Sequence, residues 1–465
     1  MFKRLRIKDF KAWGDTLDIA MAPITLFFGG NSSGKSSIGQ LLMMLKQTID
    51  SPDRKSPLYS GGTQTAVQLG SYHEMVNQRD ISKNISFEYT WDLSDELKVR
   101  DPISTNTFLG DEISFSASVS FNASQRLVEL AGFNYEIYKE SKLTFSVGLK
   151  RNENSKNDFK TEFSHYNLIR QKGRVWSIKE AVRFYGFPDE VVAYYQNADF
   201  VQELNLRHEQ LFRSLYYLGP LRIKPSRLYP WSGIRPESVG FAGENTISAI
   251  LSAKERKIGL GYRKTTKPFE EIIALKLKEM GLIDDFIVKP ISENRQEYEV
   301  KICTKGSRSW VDLPDVGFGI SQVLPVLVQC FYAPSGSVIL MEQPEIHLHP
   351  KAQSVLADVL IDVIRSKENG ADRNIQLIIE THSEHFLRRL QRRIAENEIS
   401  KDKVSAYFSD FIKDKPTLTP LLIDDFGNIK NWPEHFFGDE MGDITAQSKA
   451  AMQKRLKELK KNENS

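Results

Sequence analysis

The sequence predicts an α/β chain in which a parallel sheet with helices surrounds a phosphate-binding loop, joined to an antiparallel β subdomain and a short helical insertion. Three observations carry that prediction. An apolar strand runs straight into a glycine-rich loop and a helical stretch within residues 24–47. Four segments between residues 85 and 149 alternate apolar and polar side chains with period two. Two late apolar runs end in chemistry-bearing residues, one at Glu342 and one at Thr381, His382 and Ser383.

The elements follow in order. LRIKDF (5–10) and ITLFF (24–28) read as strands, with Trp13, Gly14 and Asp15 between them. The second enters GGNSSGKSS (29–37) and then the helical run IGQLLMMLKQ (38–47). ISFEYTW (85–91), ISFSASVSF (113–121), VELAGFNY (128–135) and LTFSVGL (143–149) form an antiparallel meander. From 177 to 215 the apolar spacing lengthens to three and four, as in AVRF (181–184) and FVQEL (200–204), which predicts a helical insert. YYLGPLRIKPSRLY (216–229) is a basic loop punctuated by Pro and Gly. A helix at 267–280 precedes a strand pair near 286–303, and AAMQKRLKELKK (450–461) is a charged tail. The expected units are 1–80, the lobe with the phosphate loop; 81–175, the β subdomain; 176–265, the helical insertion and basic loop; 266–430, a second lobe; and 431–465, the tail.

With 465 residues, 40% apolar and 26% charged, the chain has the balance of a globular protein with a large core. No window approaches the roughly 18 uncharged apolar residues of a membrane span. MFKRLRIKDF has no apolar run and no cleavage site of a secretory signal, so a cytoplasmic protein is expected. Cys303 and Cys330 are too few for a disulfide framework or zinc site and read as thiols in a reducing compartment. A net charge of +3 neither demands nor excludes nucleic acid.

Gly29, Gly34, Lys35 and Ser36 satisfy the pattern GxxxxGK[ST] between a strand and a helix. Gly29, Gly30, Asn31, Ser32, Ser33 and Gly34 can turn successive backbone N–H groups toward a phosphate, and the helix start at Lys35, Ser36 and Ser37 adds positive potential. Lys35 can reach the β and γ oxygens of ATP or GTP, and the Ser36 hydroxyl can ligate Mg²⁺. VILM (338–341) ends in Glu342, a carboxylate suited to holding the same Mg²⁺. The next residue, Gln343, cannot accept a proton and so cannot be a general base, although it can orient a water. An extended backbone past Pro344 would turn Glu345 to the same side as Gln343. Glu345 then reads either as the base, at longer reach, or as a structural or partner-contacting residue beside slow hydrolysis. In DVGFGISQVLP (315–325), Gly and Ser before a helix make a second anion-binding start, and one nucleotide needs only one. The motif therefore points to the nucleotide of another copy. His382, at a strand end, can donate to a γ-phosphate oxygen; alone it reads more readily as a structural residue, and its place in order with the other three motifs favours the phosphate role.

These four stretches, in this order, resemble the ABC-type ATPase heads of the SMC/RecF/OLD group. In that resemblance Gly29–Ser36 is Walker A, VGFGISQ (316–322) the degenerate signature, Ile339–Glu345 Walker B and His382 the switch histidine. FKAW (10–13) is similar to the FKxF start of such heads. EQPEIHLHP, YLGPLR and the late WPEHFF (432–437) look like the stand-alone ATPases of bacterial anti-phage operons, with the Septu PtuA family first and the PARIS AriA family second. The resemblance implies a homo-oligomer sandwiching ATP head to head. Lys35, Ser36 and Glu342 would come from one copy, and Gly319, Ser321 and Gln322 from the other. The insert is too short for an SMC coiled coil, and neither a Toprim domain nor an HNH-like cluster is apparent. A nuclease of HNH or Toprim type is thus expected as a separate chain, with ATP controlling it and turning over slowly. Two rivals are a DNA-stimulated RecF-like repair ATPase and a non-hydrolysing ATP-bound scaffold. The Q-loop equivalent falls around Arg222. The tail and the arginines at 388, 389, 392 and 393 read as solvated faces, whereas for RIKPSR (222–227) solvent and DNA phosphate stand level.

Overall fold

The computed structural model describes residues 1–104, 106–152, 158–173, 177–261, 265–292, 295–304, 306, 309–412, 415–433, 436 and 445–455. Half of WPEHFF (434, 435 and 437) and the second half of AAMQKRLKELKK (456–461) lie outside the described residues.

Six strands form the sheet that positions the site, in the order Leu215–Leu218, Val338–Glu342, Gln376–Glu380, Ile24–Gly29, Val404–Ile412 and Lys415–Pro420. The first five are mutually parallel, and the last returns as a hairpin. Their apolar residues alternate between two cores. Phe27, Val338, Leu340 and Ile378 pack on one face, while Leu26, Phe28, Ile339, Met341, Leu377 and Ile379 pack on the other. A sheet buried on both faces reads as an uninterrupted apolar run, as these strands do. Helix Lys35–Asp50 contributes to the first core and helices Phe318–Tyr332 and Pro350–Ile364 to the second.

The second large sheet is antiparallel, ordered Trp13–Asp15, Phe2–Phe10, Ile85–Arg100, Thr107–Asn122, Leu127–Lys139, Lys142–Arg151 and Phe159–Ser164. Its first strands come from the chain start, so residues 2–10 and 85–100 share main-chain hydrogen bonds. Trp13–Asp15, expected as a connection, is itself a strand. The meander strands run longer than their alternation suggests, because bulges at Asp92/Leu97, Ser118/Val119 and Ile137/Tyr138 break the period where pairing continues.

The expected insert at 177–215 is only partly helical. Asp189–Tyr194 and Phe200–Arg213 are helices, whereas Val182 and Gly186 bridge across a tight turn. Arg183 within that turn has φ 55, a left-handed conformation no helix accepts. Its guanidinium binds the backbone oxygens of Ser51 and Asp53, which outweighs the helical spacing of AVRF. The expected helix at 267–280 is Phe269–Glu279, and the strand pair is Ile283–Pro290 with Glu297–Thr304. Cys303 and Cys330 form no disulfide. No helix among the described residues is long and apolar enough to cross a membrane.

Candidate functional site

The strand Ile24–Gly29 delivers the glycine loop to the start of helix Lys35–Asp50. Its shape is fixed from two sides. Gly29 has φ 137, and a Cβ there would lie 2.0 Å from the Ser409 carbonyl oxygen, so only glycine fits. On the other side the Trp13 indole N–H donates to the Gly34 carbonyl at 3.0 Å, and a Cβ on Gly34 would meet that ring. The Ser409 hydroxyl donates to the Ser33 carbonyl at 2.6 Å. Gly30, Asn31 and Ser32 are exposed, whereas Ser33 and Ser37 are buried. The Lys35 ammonium donates to the carbonyls of Gly29 and Gly30 at 3.1 and 2.6 Å and lies 4.0 Å from Glu380 Oε1. Burial lowers its pKa, and the Glu380 charge opposes that shift.

The sheet order places the strand of Glu380 between the strand of Glu342 and the phosphate loop. Glu342 is therefore not on the immediate neighbour of the loop strand, as its motif alone suggests. Glu342 and Glu380 are register partners, so two acids stand side by side at the strand tips. Burial pushes the Glu342 carboxyl up to about 7, with Glu380 adding to the rise and the Tyr217 hydroxyl, donating at 2.9 Å, opposing it. Burial also raises Glu380, against the Ser36 hydroxyl and the Lys35 charge. In the sequence Glu380 stands two residues before the more conspicuous His382. The signal was there: an apolar run ending in an acid, as at Glu342.

The backbone does not stay extended past Pro344. Gln343 has φ 45, its N–H bonds the Glu380 carbonyl at 2.8 Å, and Ile346 N–H closes a turn onto the Gln343 carbonyl. Glu345 consequently swings into the protein and is 6% exposed. Its Oε1 accepts the His382 backbone N–H at 2.8 Å, while burial raises its pKa. The His382 side chain is exposed at the edge of the loop. Burial and the Lys35 charge lower its pKa, and the Gly29 carbonyl opposes them. Arg222 is buried and donates to the carbonyls of Glu342 and Gln343, clamping the tip of the acid strand. Burial lowers it to about 10, with Glu345 opposing.

The second anion-binding start differs from expectation. The helix begins at Phe318, so Gly319 and Ser321 lie inside its first turn rather than before it. Ser321 and Gln322 are buried, and the Ser321 hydroxyl donates to the Phe318 carbonyl at 2.8 Å. Gly319 packs on the turn after Gln343, since a Cβ would lie 3.0 Å from the His347 carbonyl oxygen. Gly317 and Phe318 are exposed.

The basic clusters are largely neutralised. Arg227 pairs with Asp312 and Asp315; Arg389 and Arg393 with Asp358; Arg388 with Glu384; and Arg392 with Glu396. With Arg222 buried, the loop 222–227 presents few free cations.

A family model described as "AAA domain, putative AbiEii toxin, Type IV TA system" matches residues 24–388, and one described as "Protein of unknown function (DUF3696)" matches residues 399–447. No curated protein matches. Among solved structures, the chain is similar to an Smc head bound to the C-winged helix domain of ScpA, at 11% identity over 90% of this chain and 98% of that one, with a TM-score of 0.43. It is also similar to the SMC head domain from Thermotoga maritima, at 11% identity over 91% and 99%, with a TM-score of 0.40. A third is an Smc head with an extended coiled coil bound to the C-terminal domain of ScpA derived from Pyrococcus furiosus, at 10% identity over 90% and 96%, with a TM-score of 0.42.

Proposed function

Because the chain belongs to the family described as AAA domain, putative AbiEii toxin, Type IV TA system, we propose that it is the ATP-binding ABC-type ATPase subunit of a bacterial anti-phage defence complex. It stands near the Septu PtuA or PARIS AriA ATPases. Nucleotide-dependent association of its copies assembles or controls a separate nuclease of HNH or Toprim type, with slow hydrolysis. The observation that carries this reading is a phosphate loop with lysine and buried acids beside it, next to an amide at 343 where a base is needed.

In this reading the loop Gly29–Ser37 wraps the β-phosphate, Lys35 turns to the phosphate oxygens, and His382 faces the γ-phosphate. Ser36 and Glu342 would hold Mg²⁺. Buried carboxylates with few donors suit a hard divalent cation, which neutralises phosphate charge when bound. Gln343 orients water without accepting its proton. Glu345 positions the His382 peptide instead of acting as base, since its Oε1 is occupied by that N–H. Gly319, Ser321 and Gln322 serve the nucleotide of a partner copy through the exposed edge at Gly317 and Phe318.

Light scattering with an ATP titration tests the reading. Wild type should bind ATP with Mg²⁺ and gain mass, and Lys35→Ala should do so only at far higher ATP concentration. A wild-type chain that binds no nucleotide overturns the proposal.

A further inference from the structure

We propose that Glu380 is the carboxylate on the metal side of the nucleotide site, acting with Ser36 and Glu342 to hold the divalent cation that accompanies ATP. The inference rests on the nucleotide-binding reading above and adds a residue to it.

Three observations place Glu380 there. Its strand is the immediate neighbour of the phosphate-loop strand, one position nearer to Lys35 and Ser36 than the strand of Glu342. Its Oε1 lies 4.0 Å from the Lys35 ammonium, and the Ser36 hydroxyl acts on its carboxyl. Glu342 leans the other way, with one oxygen accepting from Tyr217 on the outer strand Leu215–Leu218.

The second oxygen is the sharper sign. Glu380 is 8% exposed, and Oε2 is buried without a hydrogen-bond partner among the described residues. A buried carboxylate oxygen lacking a donor is costly unless a cation satisfies it. The strand tip is tied to the turn beside it, because the Glu380 carbonyl accepts Gln343 N–H at 2.8 Å, with Lys35 4.0 Å from its carboxyl and Glu342 as its register partner. Two adjacent carboxylates and a serine hydroxyl are the oxygen donors that Mg²⁺ and Mn²⁺ select.

The competing role is a plain counter-ion for Lys35. The two roles differ in their metal dependence. A counter-ion matters equally with and without metal. A metal-side carboxylate repels phosphate when no cation is present and helps only when one is.

The test is a titration of a fluorescent ATP analogue into wild type, Glu380→Gln and Glu380→Asp, first in EDTA and then with rising Mg²⁺. In EDTA, Glu380→Gln should bind as tightly as wild type or more tightly. The Mg²⁺ concentration for half-maximal enhancement should rise about ten-fold or more, the usual scale for losing a carboxylate that supports a metal. Glu380→Asp, which keeps the charge, should recover part of that loss and serves as the reporter if the amide variant melts early. Mn²⁺ electron paramagnetic resonance, with nucleotide present, should show the same order. An unchanged Mg²⁺ dependence overturns the inference, as does equal weakening in EDTA and Mg²⁺. A wild type that binds no analogue in either buffer overturns the nucleotide reading and this inference with it.

Discussion

Under the antiparallel sheet His208 is fully buried, yet both ring nitrogens are matched: Nε2 meets the Tyr89 hydroxyl at 2.8 Å and Nδ1 the Tyr135 hydroxyl at 2.9 Å. Tyr135 in turn donates to the Tyr185 carbonyl, and the Tyr185 ring stacks on the imidazole. At the tips of the parallel strands the picture reverses. Arg222 Nε, Glu345 Oε2 and Glu380 Oε2 are buried there without hydrogen-bond partners among the described residues, and so is Gln322 Nε2 on the neighbouring helix. A satisfied buried polar group fixes one arrangement of the fold, whereas an unsatisfied one is a cost that a ligand can relieve. The antiparallel sheet thus holds a satisfied polar centre, and the strand tips hold unsatisfied groups that the proposed nucleotide and its cation would relieve.

The largest effect that sharpens this contrast is on stability. His208→Ala leaves a cavity among rings and strips the Tyr89 hydroxyl of its partner, so denaturant unfolding should show a loss of about 3 kcal/mol. ATP affinity of the folded fraction should not change. At the other region Lys35→Ala should cost roughly fifty- to a hundred-fold in ATP affinity, as expected for losing charged hydrogen bonds, with little change in melting. The contrast breaks if these two readouts exchange places.

A pH series isolates the architectural histidine. Burial holds the His208 pKa well below its ordinary 6.5, so the unfolded chain takes up a proton there that the folded chain refuses. This contribution to stability is complete above pH 6.5 and is lost as pH falls below it. His208→Phe should flatten that part of the stability–pH curve, and an unaltered slope would show that other groups set it. The smallest effect is expected at Glu345→Gln. The amide still accepts the His382 N–H, so turnover should fall by less than about three-fold, whereas removing a general base costs about a hundred-fold or more.

Much of the site was legible because its chemistry demands contiguous residues. The phosphate loop needs strand, glycines, lysine and serine in one run, and the structure has that strand–loop–helix. The strand order was not legible, since parallel pairing joins Gln376–Glu380 to Ile24–Gly29 across some 350 residues with no local signal. Without that order nothing local ties Glu380 to the phosphate loop. The turn at Gln343 depends on a left-handed residue that Pro344 only hints at, so the sequence leaves open the side to which Glu345 turns. AVRF carried helical spacing, but long-range anchoring of Arg183 overrode it. Ser321 lies inside the first turn of its helix rather than before it, a shift of a few residues that a glycine- and serine-containing stretch does not fix.

On the proposed reading this chain holds ATP and hydrolyses it slowly because residue 343 is an amide. Steady-state ATP turnover of wild type beside Gln343→Glu, at saturating Mg²⁺ and equal nucleotide occupancy, tests it most directly. The account predicts a nearly inert wild type and a gain of about ten-fold or more in the variant, roughly 1.4 kcal/mol of barrier. A wild type that turns over rapidly, with no gain in Gln343→Glu, would contradict it.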